Sequence, residues 1–452
     1  MIKHYFFLIT LLGFMGIMQG QVIMNRDHEI KQMVDEISAE NIEKYILKLV
    51  SFHTRHNMSP QDDPVKGIGA AWNWVKAEME QYIPASGGRL SVEFIDYKAG
   101  GENQRIPSEI ELKNVVATLK GTGNDDDRIL IISAHLDSRV EENTDYTSFA
   151  PGANDDGSGV AVILELVRIM SGYEFPVTIK FLVFTGEEHG LYGSSYMAGL
   201  ARRENWNIVA MLNNDMIGNS SSSETMLNDN MKVRVFSEGI PAYETEDMAR
   251  MRSFTSGEND GQARQLARYI KEVGERYVDQ LSVTLIFRND RFGRGGDHTP
   301  FCREGFTAVR ITEFNENYDR THKTPREENG IMIGDMAGGV DFEYVRKNGG
   351  INLATLANLA LAPDQPGNVR IDISGLSNTT TLTWNKPEKG KEPDGYYVLM
   401  RETYKPLWEK KIFVKETQVT LPYSKDNYFF AVQSVDRDGH ESLPVFPRPS
   451  RR

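Results

Sequence analysis

Four short fragments of this chain place acidic residues and a histidine at the ends of apolar runs, where they could hold a divalent metal. They are Ser133-Ala134-His135-Leu136-Asp137-Ser138, Pro151-Gly152-Ala153-Asn154-Asp155-Asp156-Gly157-Ser158-Gly159, Thr185-Gly186-Glu187-Glu188-His189-Gly190 and Asn213-Asn214-Asp215-Met216. A hydrolytic zinc site draws on imidazole nitrogen and carboxylate oxygen, and a pair of metals needs one carboxylate shared between them. His135, Asp155, Glu187, Glu188 and Asp215 supply such donors from separate segments. One more nitrogen is needed. Of the nine histidines, His135, His189, His298 and His322 fall in the same region, and His322, in Tyr318-Asp319-Arg320-Thr321-His322-Lys323-Thr324, is the candidate for the sixth group.

Donors this far apart meet only if strands carry them to one edge. From Arg128 onward the pattern runs strand, loop, helix in repeated order, with strands ending at Ala134, Phe184, Asn213 and Thr312 and helices at 158–170, 193–202, 259–274 and 340–361. Such alternation predicts an α/β fold, a mostly parallel mixed sheet covered by helices on both faces, with functional groups at the carboxyl ends of its strands. Before it, apolar residues at helical spacing predict helices between Asn25 and Ile83. The runs 90–97 and 114–119 read as two strands paired at a sheet edge.

Ala362-Pro363-Asp364-Gln365-Pro366-Gly367-Asn368 breaks the pattern, which places a linker at 363–368 between a catalytic domain at 25–362 and a strand-rich tail at 368–452. In that tail a buried Trp384 on an early strand and Tyr428 near a late one suit a small all-β sandwich.

Bulk properties narrow the partners. The 452 residues carry a net charge of −13, which argues against a general nucleic-acid or anionic-membrane surface. Residues 1–20, with Lys3, the apolar run from Tyr5 to Met18 and small Gly20, read as an export signal, and a membrane anchor would need about 20 uninterrupted apolar residues. No later segment is apolar enough to span a bilayer. Cys302 is the single cysteine, so no intrachain disulfide is possible; its neighbours suggest buried packing. A periplasmic or secreted bacterial location fits export without disulfides.

The order His-x-Asp, Pro-Gly-x-x-Asp-Asp-Gly-Ser-Gly, Gly-Glu-Glu-x-Gly, Asn-x-Asp-Met, Gly-x-Asp-His and a late His-x-Thr resembles the zinc aminopeptidases of the M28 type over roughly residues 30 to 360. The resemblance implies two zinc ions, other divalent ions being alternatives. His135, Asp155 and Asp215 would bind one, and Asp155, Glu188 and His322 the other, with Asp155 bridging. Glu187 would be the general base and Asp137 the carboxylate that orients His135. His298 would lie close by without ligating, and His189 would be a loop residue with no ligand role. Many relatives carry a tyrosine immediately before the last histidine; here that position is Thr321, and the nearest tyrosine is Tyr318. The tail resembles a fibronectin type III module through Thr381-Leu382-Thr383-Trp384, Asp394-Gly395-Tyr396-Tyr397-Val398 and the strand from Tyr428 to Asp436.

The activity so implied is an exported exopeptidase removing amino-terminal residues from peptides. Carboxypeptidases and glutaminyl cyclases are alternatives on the same fold. A non-catalytic binding protein is a further one, disfavoured because no ligand or base is missing. Arg288, Arg291 and Arg294, around three glycines, could bind a substrate carboxylate or simply form a solvated loop. The tail is open to glycan, surface or main-domain contacts.

Overall fold

The structure, a computed structural model, describes residues 26–450; the expected export signal lies outside them. An eight-stranded sheet forms the centre. Its strands are β1 (Leu90–Ala99), β2 (Ile110–Leu119), β3 (Arg128–His135), β4 (Thr178–Phe184), β5 (Asn207–Asn214), β6 (Lys232–Phe236), β7 (Ser282–Ile286) and β8 (Ala308–Glu313), in the order β1-β2-β4-β3-β5-β8-β6-β7. The inner run β4-β3-β5-β8 is parallel, whereas β1-β2, β2-β4 and β8-β6 are antiparallel. The sheet is therefore mixed, with its parallel part in the middle.

The central strands lack polar alternation because both their faces are covered. Leu130 and Ile132 face one core, with α2 (Ala39–Val50), α4 (Gly157–Met170) and α9 (Phe342–Leu361). Ile131 faces the other, with Met197 and Ala198 of α5 (Tyr192–Arg203) and Phe301 and Cys302 of α8 (His298–Arg303). Successive side chains point to opposite faces of a strand, so one apolar run feeds two cores. Cys302 is buried in the second core, where burial pushes its thiol well up.

The helices α1 (His28–Asp35), α2 and α3 (Gly67–Glu80) precede the sheet. Asp27 and Ser38 cap the first two by accepting the N–H groups of Ile30 and Asn41. Two further helices are α6 (Glu246–Thr255) and α7 (Gln262–Tyr277). Neither α6 nor α8 was legible in the sequence. The first buries no residue and so has no apolar stripe to read, and the second is only six residues long. A short hairpin, β9 (Arg326–Glu328) and β10 (Ile331–Ile333), lies in the loop that follows β8.

Beyond α9 come seven short strands: β11 (Gly367–Asp372), β12 (Thr380–Asn385), β13 (Gly395–Glu402), β14 (Lys410–Val414), β15 (Gln418–Leu421), β16 (Tyr428–Val435) and β17 (Arg448–Ser450). They form a four-stranded sheet, β15-β12-β11-β17, and a three-stranded one, β14-β13-β16. Val369, Leu382 and Trp384 of the first share a core with Tyr396, Val398, Phe430 and Val432 of the second, and Trp384 meets Tyr396 edge-on at 5.3 Å.

These strands dock on α7 and α9 through buried polar groups. Arg401 Nη2 lies 2.6 Å from Asp260 Oδ2, Glu441 pairs with Arg276, and Tyr269 donates its hydroxyl to the Glu441 carbonyl at 2.7 Å. Trp408 Nε1 donates to Gln265 Oε1 at 3.1 Å. Among the described residues no helix is long and apolar enough to cross a membrane.

Candidate metal centre

The parallel register places the ends of β3, β4 and β5 level: His135 pairs with Phe184, and Ser133 with Asn213. His135 is the last residue of β3, Glu187 and Glu188 begin three residues past β4, and Asp215 follows β5 directly. Asp155 enters from the loop before α4, and His322 from the long segment after β8.

Two sets of donor atoms result, each within 4.8 Å of one another: His135, Asp155 and Asp215, and Asp155, Glu188 and His322. These are the six positions singled out by residue type and spacing, less the proposed base Glu187. Asp155 belongs to both. Its Oδ1 lies 3.1 Å from His135 Nε2, and its Oδ2 lies 2.9 Å from His322 Nε2. One carboxylate thus faces each histidine with a different oxygen, the arrangement a bridging ligand needs. Glu188 Oε2 is 2.9 Å from His322 Nε2.

The donors fit zinc in kind, being imidazole nitrogen and carboxylate oxygen. His135 Nε2 and Glu188 Oε1 are buried with no hydrogen-bond partner among the described residues, a costly state unless a cation joins them. Burial pushes the His322 imidazole down, yet the Glu188 and Asp155 carboxylates carry it up to about 10. Burial likewise opposes, and Asp137 and Asp155 outweigh it, in holding His135 well above its usual value. Both rings sit where positive charge is strongly favoured.

Glu187 is half-buried beside these sets, and its carboxylate has no hydrogen bond or ion pair among the described residues. Burial, with Asp215, Asp297 and Glu188 nearby, raises its carboxyl well above the usual range, while His135 works against the rise. A carboxyl so placed is suited to taking and returning a proton.

Asp137 has a broader task than the sequence suggested. The His135 Nδ1 atom is 3.1 Å from the Asp137 main-chain carbonyl and 3.7 Å from its Oδ1, so the backbone makes the closer contact. The carboxylate instead accepts the N–H groups of Gly186, Glu187 and Glu188 at 2.9, 3.3 and 3.1 Å, and Asn57 Nδ2 at 2.8 Å. It thereby fixes the turn that presents both glutamates. Burial alone would raise its pKa, but His135, His189 and Asn57 hold it down at about 2.

His189 is no ligand. Its Nδ1 lies 2.7 Å from Asn57 Nδ2 and its Nε2 2.9 Å from the Asn143 carbonyl. His298 also stands outside both sets, with Nε2 2.9 Å from the Asn289 carbonyl; burial lowers its imidazole to about 4. Tyr318 is exposed, and Thr321 Oγ1 lies 3.7 Å from Met216 Sδ.

Several positioning residues escaped the reading of the sequence. Arg139 donates from Nε to Glu188 Oε2 at 3.0 Å and places Nη2 2.6 Å from His322 Nδ1. Asp335 accepts the main-chain N–H of Asn154 and of Asp155, in each case to Oδ2, at 3.0 and 2.8 Å. The buried Arg55 bonds the carbonyls of Leu136, Pro151 and Gly152 at 2.6, 2.6 and 2.9 Å, tying two of the ligand loops together. Gly152 has φ +50°, and a Cβ there would stand 2.8 Å from Arg55 Nη2. Arg310 lies 2.9 Å from Asp215 Oδ1. Only Arg310 left a sequence signal, a charge inside the apolar run Ala308-Val309-Arg310-Ile311.

The chain is similar to known proteins in both sequence and fold. The model of the peptidase family M28 matches residues 114–337. A probable zinc metalloprotease of Leptosphaeria maculans is 45% identical over 436 residues, covering 96% of this chain and all of the relative. One from Pyrenophora tritici-repentis is 42% identical, covering 94% of this chain and 87% of its own. Among solved structures, LapA of Legionella pneumophila superposes with a TM-score of 0.54 at 20% identity, over 75% of this chain and 78% of LapA. An aminopeptidase from Aneurinibacillus sp. strain AM-1 gives 0.50 at 16% identity, over 74% and 96%. These two structures share the fold of the catalytic unit.

Proposed function

The chain belongs to peptidase family M28, its curated relatives are named probable zinc metalloproteases, and from that premise we propose that it is a dinuclear zinc aminopeptidase. The observation that carries this reading is Asp155, whose two oxygens face His135 and His322 separately. His135, Asp155 and Asp215 would hold one zinc, and Asp155, Glu188 and His322 the other. Zinc in these places supplies Lewis acidity toward the scissile carbonyl and a nucleophilic water at neutral pH.

The protein's own residues do the rest. Glu187, whose carboxylate joins no hydrogen bond or ion pair among the described residues, would take the proton of the attacking water and return it to the leaving amine. Asp137 keeps Glu187 and Glu188 in their separate directions by binding the N–H groups of the turn they share. Arg139 steadies the Glu188 carboxylate, and Arg310 steadies Asp215. The amino-terminal preference draws support from the aminopeptidase among the fold neighbours.

Residues 1–20 are proposed to direct export to the periplasm or medium. Residues 368–452 are proposed to be a fibronectin type III-like module, supported by the two facing sheets and the Trp384–Tyr396 contact. Its buried polar seam with α7 and α9 favours a module fixed to the catalytic unit over one tethered loosely for glycan capture.

The test is hydrolysis of free aminoacyl and amino-acetylated chromogenic substrates, with chelator and with added zinc. Cleavage of the free set alone, abolished by chelation and restored by zinc, supports the reading. Cleavage of acetylated peptides that end in a free carboxyl would replace it with a carboxypeptidase.

A further inference from the structure

Beside the metal centre lies a cavity of about 520 Å³ whose lining includes Arg234, Arg288, Arg291, Arg294, Glu316 and Tyr318. Both its walls are anchored to the donor sets. On one side Arg291 Nε lies 3.2 Å from Asp290 Oδ1, Asp290 Oδ2 lies 2.9 Å from Arg310, and Arg310 lies 2.9 Å from Asp215. On the other, Glu316 and Tyr318 belong to the segment that turns into His322, closed by the Thr321 N–H on the Asn317 carbonyl at 3.3 Å. Arg291 is also close enough to act on the Asp215 carboxylate, so one wall of the cavity borders the first donor set.

The charges in the cavity do not balance. Glu316 is the one carboxylate among the lining residues, and it is already bound by Arg234 at 2.6 Å and by Arg291 at 2.9 Å. Arg288 and Arg294 are exposed and join no ion pair among the described residues. The Arg288 guanidinium lies 3.4 Å from the centre of the Phe292 ring, which orients it without neutralising it. On a chain of net charge −13, four guanidinium groups around one cavity are a local reversal of sign. Guanidinium forks are matched to carboxylates in shape as well as charge.

We infer that this cavity is a substrate subsite for a peptide carboxylate, with Arg288 and Arg294 as the groups that bind it. The inference rests on the peptidase reading and adds a specificity to it. The carboxylate comes either from an acidic side chain of the substrate or from the free carboxyl end of a short peptide. Such binding is remote from the bond being cut and is made equally in ground and transition states, so it is felt in KM more than in kcat.

The test uses the zinc-loaded full chain and two matched pairs: leucyl-glycine against its amide, and glutamyl-p-nitroanilide against glutaminyl-p-nitroanilide. The expected result is a preference of about ten-fold or more in kcat/KM for the carboxylate member of one pair, carried by KM. The pair that shows it identifies the source of the carboxylate. The double substitution Arg288→Gln, Arg294→Gln should bring that ratio close to one, and Arg437→Gln on the distant surface should leave it unchanged. Ratios near one in the native enzyme, or a ratio that survives the double substitution, would overturn the subsite. If none of the four is hydrolysed, the peptidase reading itself fails. Calorimetric binding of leucyl-glycine against its amide then decides the subsite separately: tighter binding of the acid supports it, and equal binding overturns it.

Discussion

Asp137 Oδ2 accepts the Glu188 N–H at 3.1 Å while Oδ1 accepts the Gly186 N–H at 2.9 Å, so one buried carboxylate holds both ends of the turn that carries Glu187 and Glu188. Asp137→Asn keeps the shape but turns one acceptor into a donor facing a main-chain N–H. The expected effect is a fall in kcat of about 10- to 100-fold with weaker zinc retention. Steady-state kinetics together with competition against a chelator would measure both, and unchanged values would remove Asp137 from the site.

Glu187→Gln should lower kcat by about 10²- to 10⁴-fold without loss of zinc, since Glu187 joins neither donor set and its carboxylate has no hydrogen bond or ion pair among the described residues. Metal content by atomic absorption, measured beside kcat, separates a base from a ligand. A variant that loses zinc would reassign Glu187 as a ligand.

His322→Ala should halve the zinc bound per chain and leave the set of His135, Asp155 and Asp215 intact. The measurement is metal content after exhaustive dialysis. Complete loss of zinc would mean that the two sets do not fill independently.

Arg55 is buried among carbonyls of three segments, including the Leu136 and Pro151–Gly152 loops beside the donors. Arg55→Met leaves those carbonyls without donors and should cost at least about 3 kcal/mol of stability. Denaturant unfolding would show it as a lower midpoint, and an unchanged midpoint would contradict the clamp.

Glu441 joins the β module to α7 through Arg276, with Lys411 close by. Burial would raise its carboxyl, but Lys411 and Arg276 hold it down at about 2, below the ordinary glutamate value of 4.5. A depressed folded pKa contributes stability that is complete above the unfolded value and is lost as pH falls toward the folded one. The expected loss of stability therefore runs between about pH 4.5 and about pH 2. Glu441→Gln should flatten the acid limb of the unfolding midpoint in that window, and an unaltered limb would contradict the assignment.

The sheet and the donor sets were legible because they depend on local patterns. Apolar runs such as Ile129-Leu130-Ile131-Ile132 mark strands covered on both faces, and the parallel register then carries His135, Glu188 and Asp215 to one edge. The supports were not legible. Arg55, Asn57, Arg139 and Asp335 act across sequence separations that no local period records, and each would pass for an ordinary loop residue. The helix α6 and the strand β17 were missed for a related reason: the first buries nothing, and the second is three residues long and contains Pro449. The role of the Asp137 carboxylate toward the glutamate turn depends on its orientation, which spacing does not specify.

The most direct test of a bridged two-zinc aminopeptidase is titration of metal-stripped protein with zinc, read by hydrolysis of leucyl-p-nitroanilide and its acetylated counterpart. The account predicts activity that reaches its plateau at two equivalents of zinc and acts on the free amine alone. A plateau at one equivalent, or equal cleavage of the acetylated substrate, would contradict it.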